Sequence, residues 1–101
     1  MSLATHQSQR WLLAYDISAP RDRRRIARTL EGHATRLQRS VFYCEAGAAE
    51  VRQTLQTCQP QVREGDRLHA WIVHSRPALP AAWQKRLAQA RNVALPAYWV
   101  V

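Results

Sequence analysis

The chain alternates short apolar runs with longer amphipathic stretches. Residues 11–15 form an unbroken apolar run of strand length that stops at a single carboxylate, Asp16. Trp11, Leu13 and Tyr15 point one way and Leu12 and Ala14 the other, so a strand over residues 10–16 needs cover on both faces. Ile17, Ser18 and Pro20 then turn the chain into a helix over residues 19–32, with Ser18 as the expected cap and Gly32 as the expected stop. At about 100° per residue, Ile26, Leu30 and Ala34 gather on one side of that helix and Arg21, Arg24, Arg25 and Arg28 on the other.

Residues 35–38 and 40–46 read as two extended segments, the second strengthened by Val41, Phe42, Tyr43 and Cys44, and they form an antiparallel pair around Arg39. After Gly47, the recurrence of Val51, Leu55, Cys58 and Val62 predicts a second amphipathic helix, with Glu50, Arg52, Gln53 and Gln56 outward. Gly65 and Asp66 turn the chain into residues 68–73, a second strand apolar on both parities. Pro77 and Pro80 follow, then a short segment aligning Trp83, Leu87 and Ala90, and the apolar end Tyr98, Trp99, Val100 and Val101 predicts an edge strand.

The order strand, helix, strand, strand, helix, strand is that of an α+β, ferredoxin-like βαββαβ domain with both helices on one sheet face. The expected layout is a loose tail over residues 1–9, the domain over 10–75, and an extension over 76–101 with a helix and an additional C-terminal strand that completes a dimer. Because the strands are apolar on both parities, the second face needs a cover, and a second copy supplies it. The protein is therefore expected to be a homodimer.

Charge adds a partner to this picture. The chain carries 15 basic and 7 acidic residues, net +8, and every basic residue but Lys85 is an arginine. A genome rich in G and C favours Arg over Lys, but the placement of Arg21, Arg24, Arg25 and Arg28 at helical spacing is unfavourable without an anion, since like charges at i, i+4 repel. Guanidinium forks match phosphate oxygens in pairs, so a nucleic-acid backbone is the expected ligand, with Arg39 adding to the surface. Cys44 and Cys58 lack metal-ligand spacing and sit in apolar settings, as reduced core residues of a cytoplasmic protein do. No apolar run reaches the length of a membrane span.

Asp16 is the sharpest candidate for chemistry. A lone carboxylate after apolar residues is often a turn former, but a dimer axis near the end of the first strand would bring two copies together, and that pair favours Mg²⁺ keeping most of its waters. His6, His33, His69 and His74 show no metal-ligand pattern, and Ser18 and Ser40 have no neighbouring base.

These residues resemble a known family. Tyr15, Asp16 and Ile17 closing the first strand, Arg23 to Ile26 in the first helix, and above all the run EGHATRLQRSVFYC over residues 31–44 are similar to the small CRISPR-associated protein two family, with Asp66, Arg67, Leu68 and Trp71 extending the match. The resemblance implies a ferredoxin-like homodimer whose C-terminal strand completes the partner's sheet. It implies a role in CRISPR adaptation, in which the dimer bridges integrase subunits and holds duplex DNA during spacer acquisition. It also implies a Mg²⁺-dependent endonuclease acting on RNA or DNA, with Asp16 as catalytic residue and metal ligand. Two positions depart from the family pattern: Arg39 stands where an aromatic is usual, and Ala34 where a second glycine is usual.

Whether the chain is an enzyme turns on Asp16, because one acid per chain is a thin constellation for phosphodiester hydrolysis, whereas binding needs only the arginines. An RNA-cleaving toxin of related fold would use the same Asp16 alone on cellular single-stranded RNA. A ferredoxin-like module that binds RNA without catalysis shares the element order, but residues 39–44 lack the glycine of its base-stacking strand.

Overall fold

A computed structural model of the chain describes residues 7–91. In chain order the elements are β1 (Gln9–Asp16), α1 (Pro20–Glu31), β2 (Thr35–Gln38), β3 (Val41–Ala46), α2 (Ala48–Cys58), β4 (Arg67–Ile72) and α3 (Ala81–Arg91), with 3₁₀ turns at Gln59–Gln61 and Arg76–Ala78. The fold is α+β, built on a 4-stranded sheet of order β2-β3-β1-β4 that is antiparallel at every pairing. The terminal strand expected over residues 97–101 lies outside the described residues.

Local chemistry moves several boundaries from their expected places. Pro20 starts α1 with its φ already helical, but the capping position is Ala19, and no side chain caps the helix. Ser18 is not the cap; it is drawn away to Asp66, as described below. Gly32 does end α1, in a right-handed conformation. At the start of α2 the Glu50 carboxylate accepts the Gly47 N–H at 3.1 Å, satisfying a donor the helix leaves open. The expected helix through Val62 stops at Cys58, because Pro60 lacks an N–H and opens a 3₁₀ turn instead.

The two parities of β1 feed two cores. Leu13 and Tyr15 pack with Ile26, Ala27 and Leu30 of α1, Phe42 and Cys44 of β3, and Val51 and Cys58 of α2. On the opposite face Leu37, Tyr43, Val73, Leu79 and Leu87 form a smaller core, with Leu12, Val41 and Trp83 against it. This corrects the expectation of a second face left wholly to another copy, since α3 and the 3₁₀ turn before it cover the half nearest β2. The half over β1 and β4 keeps Trp71 at 50% exposure, its indole 5.9 Å from the His69 ring.

Both cysteines are free and buried. Burial, then Glu50 and Glu45 nearby, push the Cys44 thiol up to about 12, and burial raises Cys58. No helix among the described residues is long and apolar enough to cross a membrane.

Candidate nucleic-acid interface at the end of the first strand

Asp16 is the last residue of β1 and is exposed. It stands there because Tyr15 before it and Ile17 after it are buried, at 6% and 2% exposure, and pin the backbone on either side. Tyr15 is held twice by the β2–β3 turn: its N–H donates to the Ser40 carbonyl at 3.1 Å and its hydroxyl donates to the Arg39 carbonyl at 3.1 Å. The turn that carries Arg39 is thereby docked on the strand that carries Asp16.

The docking closes a cleft of about 480 Å³ lined by Tyr15, Asp16, Arg23, Arg24, Arg36 and Arg39, with Ile17, Ala27 and Ser40. Arg23 donates through Nη1 to the Ile17 carbonyl at 3.1 Å. Arg36 lies 5.2 Å over the Phe42 ring and 3.7 Å from Glu31, an ion pair at the surface. These two guanidinium groups are oriented by the fold. Among the described residues Arg24 and Arg39 have no ion pair and no side-chain hydrogen bond, so their donors stay available. The start of α1 adds the positive end of its dipole to the same wall. Four guanidinium groups around one carboxylate suit the oxygens of a phosphodiester.

The sequence-based site is thus assembled in part. Asp16, Arg24 and Arg39 come together; Arg21, Arg25 and Arg28 are exposed on α1 and do not line the cleft. Arg23 and Arg36 were missed, because Arg23 falls outside the helical stripe and Arg36 belongs to a strand. The one signal for Arg36 was its alternation with the apolar Leu37 in a short extended segment. Also missed was Asp22, at 7% exposure in the first turn of α1, which accepts Arg63 Nε at 2.7 Å.

Across the sheet Asp16 faces Arg67, its Cα partner on β4, in the same row as Ala14 and His69. Among the described residues no group of three or more His, Cys, Asp or Glu side chains could hold a metal ion. Asp16 is the one acidic residue that lines the cleft, beside four arginines.

The α+β fold is shared with solved structures. A hypothetical protein, TT1823, from Thermus thermophilus superposes with a TM-score of 0.63 at 25% identity, covering 67% of this chain and 84% of that one. Streptococcus pyogenes Cas2 superposes with a TM-score of 0.56 at 24% identity, covering 76% and 93% of the two chains. The family described as CRISPR associated protein Cas2 matches residues 9–77, and the chain belongs to that family. A relative from Chloroflexus aurantiacus, named CRISPR-associated endoribonuclease Cas2 1, is 38% identical over 63 residues, 60% of this chain and 68% of the relative.

Proposed function

We propose that the protein is a nucleic-acid-binding subunit of CRISPR adaptation: a homodimer that holds duplex DNA and bridges integrase subunits during spacer acquisition. In this reading Asp16 also gives it a Mg²⁺-dependent endonuclease activity on RNA or DNA. The observation that carries the reading is the convergence of Asp16 with Arg23, Arg24, Arg36 and Arg39 in one cleft. Membership of the Cas2 family and the endoribonuclease name of the Chloroflexus relative support it.

The protomer is read as ferredoxin-like from the order β2-β3-β1-β4 and from α1 and α2 sharing one core. The homodimer is supported by the half of the second face that the described residues leave uncovered, where Trp71 is 50% exposed. Register puts Asp16 in the row of Ala14 and His69 on that face, so a copy laid over it with the dimer axis near the end of β1 brings two Asp16 carboxylates toward each other. The pair would hold one Mg²⁺, which when bound supplies Lewis-acid stabilisation of charge on a phosphoryl oxygen. Arg24 and Arg39 then bind the neighbouring phosphates, and Arg23 and Arg36 hold the cleft walls in place. A second reading, a DNA-holding subunit without catalysis, is favoured by the lone acidic residue among the four arginines of the cleft.

Cleavage of labelled single-stranded RNA and duplex DNA by wild type and Asp16→Asn, with Mg²⁺ or with chelator, tests the proposal. Metal-dependent cleavage that is lost in the variant supports the nuclease. Equal activity in both proteins, or none in either, removes it and leaves the holder. Charge reversal at Arg24 and Arg39 is expected to weaken duplex binding and to reduce its salt slope by about 1 for each phosphate no longer neutralised. Unchanged binding in that double variant removes the cleft as the interface.

A further inference from the structure

The β1–β4 ladder ends at the pair Asp16 and Arg67, so the backbone leaving Asp16 has no further strand partner to fix it. One side chain takes over that task. The Asp66 carboxylate accepts the Ser18 N–H at 3.1 Å and the Ser18 hydroxyl at 3.0 Å on the same oxygen, while its other oxygen accepts the Arg63 N–H at 3.0 Å. Its own N–H donates to the Arg63 carbonyl at 2.9 Å, closing a tight turn, and Gly65 within that turn has φ +86°, where a side chain would be strained. A second tie runs parallel to the first, from Arg63 to the buried Asp22 of α1 at 2.7 Å.

We infer that Asp66 is a positioning residue for Asp16. This deepens the reading of Asp16 as the site's carboxylate and rests on it. Asp16 stands between two docked loops: the β2–β3 turn holds Tyr15 on one side, and the α2–β4 loop holds Ser18 on the other. With Ile17 buried between Asp16 and Ser18, and its carbonyl bonded by Arg23, the backbone from Tyr15 to Ser18 has little freedom to turn. The Cα–Cβ bond of Asp16 is therefore aimed in one direction before any ligand arrives, which is what a shared metal requires of its ligand. Aspartate suits position 66 because both of its oxygens accept. An asparagine there has one acceptor, and its amide group would turn a donor toward either the Ser18 N–H or the Arg63 N–H.

The test uses the full chain, with Mn²⁺ alone as the metal probe. In wild type, Mn²⁺ is expected to broaden the amide resonances of residues 16–18, and Asp16→Asn is expected to abolish this. Asp66→Asn is expected to keep the melting temperature within a few degrees, to raise the Mn²⁺ midpoint about 10–100-fold, and to lower kcat with KM unchanged. Ser18→Ala is expected to show part of the same loss and Ser18→Thr, which keeps the hydroxyl, to restore it. A wild-type midpoint in Asp66→Asn overturns the positioning role while leaving Asp16 as the ligand. A wild-type midpoint in Asp16→Asn overturns both. If Asp66→Asn does not fold, Ser18→Ala decides, and a wild-type midpoint there overturns the inference.

Discussion

The two faces of the sheet are finished to different degrees. On the face toward α1 and α2, Leu13, Ile26, Leu30, Phe42 and Cys58 are each at 1% exposure or less, and they seal a core made entirely within the chain. On the other face α3 seals only the half nearest β2, with Leu87 at 0%, while Leu12 and Ala14 are half-buried and His69 and Trp71 are exposed. Among the described residues the face toward α1 and α2 is closed except at Ile72, 43% exposed at its edge, and the half into whose row Asp16 falls stays open. Burial of this kind separates the part of the sheet on which the described residues fold from the part they leave open.

The largest expected effect lies on the closed face. Phe42→Ala removes a ring that packs under Tyr15 at 6.2 Å and carries Arg36 above it, and is expected to cost about 3–5 kcal/mol in urea unfolding. Leu87→Ala, its counterpart under α3, is expected to cost about 2–3 kcal/mol, because the smaller core beside it can relax further. Equal costs would mean that the second face is as tightly packed as the first. Trp71→Ala is expected to change the stability of a separate chain by about 0.5 kcal/mol or less. The same variant should lower self-association in sedimentation, and an unchanged association would place any dimer elsewhere. The smallest effect is a silence: with the Cys44 thiol pushed up to about 12 and Cys58 also raised, iodoacetamide at pH 8 should label neither until the chain unfolds. Rapid labelling of the native chain would show the closed face to be open.

The features legible in the sequence are those carried by a local period. Residues 11–15 announce a strand by continuous apolarity, and Ile26 with Leu30 announce the buried side of a helix. The cleft was legible only at Asp16, Arg24 and Arg39. Arg23 and Arg36 reach it because a strand end, a first helical turn and a hairpin meet in space, and no spacing along the chain encodes that meeting. The tie between Asp22 and Arg63 spans 41 positions and gave no signal for the same reason. Ser18 was misread because a serine before a proline-started helix is a good cap by propensity, yet Asp66 offers it two hydrogen bonds from outside the helix. The cover supplied by α3 was hidden by the brevity of its apolar stripe, Trp83 and Leu87.

The exposed indole of Trp71 has an optical consequence. Trp11 donates its Nε1–H to the Ala46 carbonyl at 3.0 Å and is half-buried, as is Trp83, so among the described tryptophans Trp71 is the one open to a neutral collisional quencher such as acrylamide. Whatever settles over β4, a second chain or a strand of nucleic acid, must shield that ring and shift its emission to the blue. Among the described residues that indole is thus a fluorescent gauge for the half of the sheet they leave open.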